Sequence, residues 1–397
     1  MTPTSPARPT AQSPFQRLAA LIAGHPPGEP AIDLAVGEPR HPMPAFVGPA
    51  IAAALDGFGR YPAIRGTDAF RAAVAAWLDR RYALDGLIDP ETMVLPLNGS
   101  REGLFFAALG ARESARVDNP AVLIPNPYYQ AYAAGAAAAG AEPVALPAAG
   151  DGALPDLDAV PAALLDRTIA IYAASPSNPQ GAVATAADWA RLLGAARRRG
   201  IPVFADECYS ELYREAAGPP AGALEAAKAT GSLAGLVVFN SLSKRSNLPG
   251  LRCGFAAGDP AFLADWTRLR NMAAPQVPLP VQAVAVAAFA DEAHVAENRR
   301  LYDAKFALAE ALLGPVTGPV TPPAGFFLWL DVARLGGGER VALDLWTRAG
   351  LRTVPGGYLA LPEADGTNPA DRYLRIALVD DLARTETALR RLAAALA

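Results

Sequence analysis

Seven short apolar runs, each closed by turn residues, most constrain what this chain can become. They are "MVLPL" (93–97), "AVLIP" (121–125), "EPVAL" (142–146), "TIAIYAA" (168–174), "IPVFADE" (201–207), "GLVVFNS" (235–241) and "LRCGFAAG" (251–258). Apolar runs of this length, mostly separated by helix-compatible segments, describe a largely parallel sheet covered on both faces. "TAADWARLLGAARRRG" is one such segment, with Thr185 placed to cap its start and Gly200 its end. The last two runs lie close in sequence, so one of them is expected to be an antiparallel edge. The fold class is therefore α/β, built on a mostly parallel seven-stranded sheet.

From about residue 282 the texture changes to "VQAVAVAAFADEAHVAENRRLYDAKFALAEALL", which reads as one long helical pattern. The strand-like "GFFLWLDV" (325–332), a helix around 341–349, "LRTVPG" and "RYLRIAL" (372–378) follow, and together they describe a second, smaller α+β domain. A chain of 397 residues, 52% of them hydrophobic, is long enough to bury such a pair of cores. The opening "MTPTSPARPTAQSPF" has no apolar core, so residues 1–14 read as a flexible tail and not a signal peptide. No apolar stretch reaches transmembrane length uninterrupted, and a soluble, cytoplasmic protein is expected.

A net charge of −4 gives no general attraction to nucleic acid or to an anionic membrane, which leaves a small molecule as the expected partner. Cys208 and Cys253 are too few for a disulfide framework and fit a reducing compartment. His25, His41 and His294 lack ligand spacing, so no metal is expected. No phosphate-binding loop of the NTPase type occurs, and "LGGGER" (335–340) reads as an ordinary loop.

In an α/β sheet, ligands bind beyond the carboxyl ends of the strands, so the residues after each run matter most. "NGSREG" offers a glycine turn, Ser100 and the free N–H groups of a helix start, which suit a phosphate. "NPYYQAY" supplies Tyr128, Tyr129 and Tyr132, one of which could stack on a flat ring. "SPSNPQG" sets Asn178 before Pro179, a rigid polar turn of the kind that admits a cis peptide. "IPVFADECY" ends in Asp206, Glu207 and Tyr209, and a carboxylate at an apolar strand end is costly without a partner. "NSLSKRSNLPGLRCG" carries Ser241, Ser243, Lys244 and Arg252.

Each stretch alone has a plain structural alternative: a capped helix, a core aromatic, or a polar turn closed by Pro249 and Gly250. In succession they match one ligand type. An aldehyde needs a lysine, a phosphate needs hydroxyls, N–H groups and an arginine, a protonated ring nitrogen needs a carboxylate, and a ring face needs an aromatic. Pyridoxal 5′-phosphate has all four features.

The markers "SPSNPQG", "DECY", "SLSK" with an arginine eight residues on, and the late "YLRIAL" stand in an order and spacing that resembles the fold-type I, class I/II aminotransferases. The resemblance runs over nearly the whole chain after the tail. It implies that Lys244 forms the Schiff base with pyridoxal phosphate and moves the proton, and that Asp206 pairs with the ring nitrogen. It implies that Tyr209 and Asn178 bond the ring's O3′, and that Tyr129 stacks on the ring. Ser100, Arg101, Ser241 and Arg252 are implied to hold the phosphate. Tyr61, in "RYPAIRGTDAFR", resembles the tyrosine that reaches the phosphate from a neighbouring subunit, which implies a homodimer with shared sites. Arg375 is implied to clamp the substrate α-carboxylate with two prongs, where Gly37 in "LAVGEP" lets the backbone approach.

The implied domains are an N-terminal segment of the small domain (15–48), a large cofactor-binding domain (49–285) and the C-terminal small domain (286–397), which close over the substrate. "SLSKRSNLPGLRCGFAAGD" departs from the commoner lysine-aromatic pattern and resembles the N-succinyldiaminopimelate aminotransferases. That implies amino transfer between glutamate and N-succinyl-2-amino-6-oxopimelate, in lysine and diaminopimelate synthesis. Arg245 in this loop is the residue considered for substrate contact, against the alternative that it faces a neighbouring loop or solvent. Aspartate, alanine or aromatic transamination, and a lyase using the same cofactor, are the other enzymatic readings. A ligand sensor fused to a DNA-binding domain would need helices before "AIDLAVGEP", where residues 1–30 are proline-rich instead.

Overall fold

The computed structural model describes residues 12–146, 154–363 and 365–397. Residues 1–11, most of the expected tail, lie outside the described residues. A helix begins at Pro14 (Pro14–Ile22), the last residue of that expected tail. The cause is local: Ser13 accepts a bond from the Gln16 N–H, the Gln16 side chain answers it, and proline suits a first helical position.

The strands, in chain order, are β1 (Ile32–Asp33), β2 (Val94–Leu97), β3 (Ala121–Pro125), β4 (Glu142–Leu146), β5 (Thr168–Ala174), β6 (Val203–Asp206), β7 (Leu236–Ser241), β8 (Gly254–Gly258), β9 (Phe327–Asp331), β10 (Leu351–Arg352), β11 (Val354–Pro355) and β12 (Tyr373–Ala377). The seven apolar runs form one seven-stranded sheet in the order β2-β8-β7-β6-β5-β3-β4. β8 runs antiparallel to both its neighbours, and the other pairings are parallel. The antiparallel strand was expected at an edge and is instead internal, with β2 outside it. The link between β7 and β8 holds only a one-turn helix, Leu242–Arg245, and a short 3-10 turn, Pro249–Leu251, in place of a full crossover helix. β2, β3, β5, β6 and β7 consequently present their carboxyl ends on one side.

Helices cover both faces of the sheet. Trp77, Trp189, Phe255 and Phe289 fill one side, and Tyr132, Tyr172, Phe204, Phe239 and Trp266 fill the other. The Ala186–Arg198 helix starts with the capping box of Thr185 and Asp188, and Gly200 follows its end at φ +67°, as its sequence indicated. The long pattern after residue 282 is two helices, Leu279–Ala290 and Ala293–Thr317. Asp291 breaks it by adopting extended backbone and turning its carboxylate onto the Ala293 N–H at 2.7 Å.

A three-stranded antiparallel sheet, β11-β12-β9, carries the C-terminal third, packed on Leu345, Leu389 and Leu392. β1 pairs with β10 in parallel, which ties the N-terminal segment to that third. Residues 34–41 then run back toward the strand ends of the large sheet. Among the described residues no helix is long and apolar enough to cross a membrane.

Candidate active site

A cavity of about 740 Å³ lies where five parallel strands end, between the large sheet and β9 and β12. Ser100 and Arg101 follow β2, Tyr129 follows β3, Asn178 follows β5, Asp206 and Tyr209 end β6, and Lys244 follows β7. Gly37, Phe327, Trp329, Tyr373 and Arg375 close it from the other side. Strand ends gather here because these strands run parallel, each connection returning the chain to their amino ends.

Alternation along a strand decides which carboxyl faces the cavity. Asp206 turns toward Tyr132, whose hydroxyl donates to Oδ2 at 2.6 Å, while the Cys208 N–H donates to Oδ1 at 3.1 Å. Glu207 turns the other way into the core, accepting from the Tyr82 hydroxyl at 2.8 Å and the Ala223 N–H at 2.7 Å. Burial pushes Glu207 up to about 7, and it takes no part in the cavity. Burial also raises Asp206, against the pull of its two hydrogen bonds. No cation pairs with Asp206 among the described residues, so two hydrogen bonds are what its charged form has there.

Lys244 sits in the one-turn helix that Ser241 caps by accepting from the Ser243 N–H at 3.0 Å. Its ammonium donates to the Gly37 carbonyl and lies 5.1 Å from the centre of the Phe326 ring. Burial, reinforced by the positive charge of Arg375, lowers Lys244 to about 8. A side chain at Gly37 would meet the Phe327 ring at 2.5 Å, so glycine is what permits this approach.

Arg375 is buried, donates to the Ala35 carbonyl at 2.8 Å and the Asn178 amide oxygen at 3.3 Å, and lies over the Phe327 ring. Its Nε has no hydrogen-bond partner, and burial lowers it to about 10. A guanidinium held this way, with no carboxylate among the described residues, is ready for an anion from outside the chain.

On the far side of the cavity the Ser100–Ser114 helix begins at Gly99, at φ +80°, with no side chain capping its first N–H groups. A Cβ at Gly99 would stand 2.4 Å from Arg252 Nη2, so the guanidinium lies directly against this turn. Open N–H groups, a hydroxyl and an adjacent arginine form an anion cradle. Arg101 donates to the Tyr129 hydroxyl, and Tyr129 meets Tyr132 edge-on at 5.7 Å.

Of the residues singled out in the sequence, the cavity brings together Gly37, Ser100, Arg101, Tyr129, Asn178, Asp206, Tyr209, Lys244 and Arg375. Ser241 and Arg252 are not on the lining; Ser241 is buried behind Lys244, and Arg252 braces Gly99. Tyr61 is 98% exposed and lies outside the cavity of its own chain. Arg245 points away from the cavity: it is fully buried, bonded to the Ala288 carbonyl at 2.7 Å and Glu292 at 2.5 Å, between Trp77 and Phe289. Its contact is a neighbouring helix, and Arg245 itself brings no charge to the cavity.

Sequence reasoning weighed Tyr132 only as one of three aromatics for a ring face, although it holds Asp206 from the first turn of the helix that Tyr129 precedes. Cys208 also lines the cavity, with a thiol pushed well up by burial and the adjacent Asp206, so it remains protonated.

Residues 29–392 match the family model for aminotransferase class I and II. The chain is similar, at 34% identity over 382 residues and 96% of both proteins, to the 4-dedimethylamino-4-oxo-anhydrotetracycline transaminase OxyQ of Streptomyces rimosus. It is 30% identical over 372 residues, 92% of both, to the LL-diaminopimelate aminotransferase of Nitratidesulfovibrio vulgaris. The solved aminotransferase from Neisseria meningitidis Z2491 has a TM-score of 0.91 at 36% identity, covering 97% of this chain and 98% of that one.

Proposed function

We propose, for a chain that belongs to the class I and II aminotransferase family, that it moves an amino group from glutamate to N-succinyl-2-amino-6-oxopimelate. The general chemistry is that of the family: the protein is a pyridoxal 5′-phosphate-dependent aminotransferase. One observation carries the reading of the site. Among the described residues the half-buried Asp206 carboxyl has no cation, and Arg375 is a buried guanidinium with an unpaired Nε and no carboxylate. A cofactor with a cationic ring nitrogen and a substrate with a carboxylate compensate both.

When bound, the cofactor supplies an electron sink for the charge left at the substrate Cα. In this reading Asp206, oriented by Tyr132, faces the ring nitrogen, Tyr129 covers the ring, and Asn178 and Tyr209 bond its oxygen. The Ser100 and Arg101 N–H groups, with Ser241 and Arg252, hold the phosphate. Arg375 orients the α-carboxylate beside Gly37. Lys244 Nζ takes the proton from the substrate Cα and returns one to the product side. Lowered to about 8, this amine exchanges a proton readily near neutral pH.

We assign the exposed Tyr61 to the phosphate of a second copy in a homodimer, and the domain limits 15–48, 49–285 and 286–397 belong to the same reading. Mixing Tyr61→Phe chains with Lys244→Ala chains should produce heterodimers with one intact site and recover activity. Confirmed subunit exchange without recovery would remove Tyr61 from the shared site.

Similarity to a diaminopimelate aminotransferase supports a long acceptor. A second reading has its own observation. The cavity beyond Arg375 is walled by Phe15, Tyr128 and the stacked pair Trp329 and Tyr373, which favours an aromatic or uncharged side chain. The similarity to a transaminase named for a polycyclic ketone agrees with it. Comparing kcat/KM for the succinylated compound with aspartate, alanine and phenylalanine separates the two. The first reading expects the succinylated compound to lead by at least about 10-fold, one well-placed charged contact. A preference for phenylalanine overturns it in favour of the second.

A further inference from the structure

Behind Lys244 a chain of buried polar groups has no part in the chemistry described so far. Lys305, in the Ala293–Thr317 helix, is 2% exposed, and its ammonium lies 2.6 Å from His41 Nε2 and 3.2 Å from the Leu378 carbonyl. His41 Nδ1 lies 2.6 Å from the Asn298 amide oxygen, and the His41 ring packs against Tyr302 with centroids 4.5 Å apart. Asn298 is 1% exposed, and its Nδ2 donates to the backbone carbonyl of Lys244 at 3.2 Å.

The directions are fixed by the end groups. Nδ2 faces carbonyls and must donate, so Oδ1 accepts from His41 Nδ1–H. His41 Nε2 is then the lone pair that receives the Lys305 ammonium. Every donor points the same way, from a buried cation to the backbone of Lys244. Burial first, then the Lys305 charge, pushes His41 down to about 4, which keeps the imidazole neutral as this arrangement requires.

The chain also closes a ring. Leu34 accepts from the Ala377 N–H at 2.8 Å and Ala35 from Arg375 at 2.8 Å, while Gly37 accepts from the Lys244 ammonium. Four residues later His41 is tied through Asn298 to the backbone of that same lysine. Residues 34–41 are thus pinned at both ends, with Gly37 between the pins.

We infer that Lys305, His41 and Asn298 are positioning residues that hold the Gly37 segment in register with Lys244 and Arg375, and so set the affinity for the substrate carboxylate. The inference rests on the reading of Arg375 as the carboxylate clamp. If the segment is not held in place, only a fraction of molecules offers the assembled clamp, and apparent affinity falls by that fraction. Once substrate is bound the geometry is restored, so the burden falls on KM and not on kcat.

The test uses the cofactor-loaded enzyme with glutamate as donor. His41→Phe keeps a ring against Tyr302 and removes both nitrogens; Lys305→Met removes the terminal donor; His41→Gln keeps one donor and one acceptor. The first two should raise KM by about 10-fold, the loss of one hydrogen bond to a charged group, with kcat within about 3-fold. His41→Gln should bring KM back to within about 3-fold of wild type. Hydrogen exchange of the 34–41 amides, read without substrate, should accelerate by about 10-fold in His41→Phe and Lys305→Met. Unchanged KM and exchange overturn the inference, and so does a fall in melting temperature that accompanies lower kcat at constant KM. If His41→Phe does not fold, Lys305→Met decides by the same split. Wild-type turnover and an Arg375→Lys control report on the clamp itself, so failure of that reading is seen separately.

Discussion

Lys244→Ala should lose turnover by at least about 10⁴-fold, the upper range for removing a positioned proton-transfer group, with the covalent role lost as well. The side chain is the amine that reaches the cavity at the end of β7, and its removal leaves Ser100, Asp206 and Arg375 in place. Pyridoxal phosphate should therefore still bind, weakly, while borohydride treatment followed by mass measurement shows no fixed adduct. Wild-type turnover in the variant would end the assignment.

The lowered Lys244 adds a pH signature. Attack on an aldehyde needs the neutral amine, whose fraction at pH 8 is about one half here, against under about 1% for an ordinary lysine near 10.4. Loading of cofactor-free protein should accelerate as pH rises and level off above about 8. A plateau reached only near 10 would show that burial and Arg375 do not act on this amine as described.

Asp206→Asn should lower kcat/KM by about 10³-fold, comparable to removing a preorganised charge partner from a water-poor site. The substitution is nearly isosteric: the Cys208 N–H can keep the amide oxygen as its acceptor, while the Tyr132 hydroxyl can accept from the new amide N–H where it now donates. What is lost is the negative charge that keeps a ring nitrogen protonated in a low-dielectric site, where a charge pair is strongest. Steady-state kinetics and cofactor titration check it together. A loss smaller than 10-fold with cofactor fully bound would mean the ring nitrogen is served by another group.

Several parts of this protein were legible because their causes are local. Period, apolar content and turn residues are properties of short windows, and they placed all seven strands of the main sheet. The rule that ligands lie past parallel strand ends then pointed to Ser100, Tyr129, Asn178, Asp206 and Lys244, which do line one cavity. The Thr185 cap and the Gly99 turn were equally readable, since each involves residues within three positions of one another.

Other features depend on partners far along the chain, and no window contains both. Arg245 and Arg375 both stand in polar motifs, yet only packing gives the first a Glu292 carboxylate and leaves the second without one among the described residues. Asp206 and Glu207 are adjacent, and the sheet face each meets, with Tyr132 on one side and Tyr82 on the other, separates ligand group from core group. The internal place of β8 was set by β2 pairing outside it. The relay from Lys305 through His41 to Asn298 joins one helix to a residue 257 positions before Asn298. The sequence by itself determined the strands, the order of the polar strand ends and the kind of ligand they suit, because short-range periodicity and turn chemistry act within a few residues. The tertiary structure alone decided which charges are compensated and which are left open, because desolvation and pairing depend on what packs against each group.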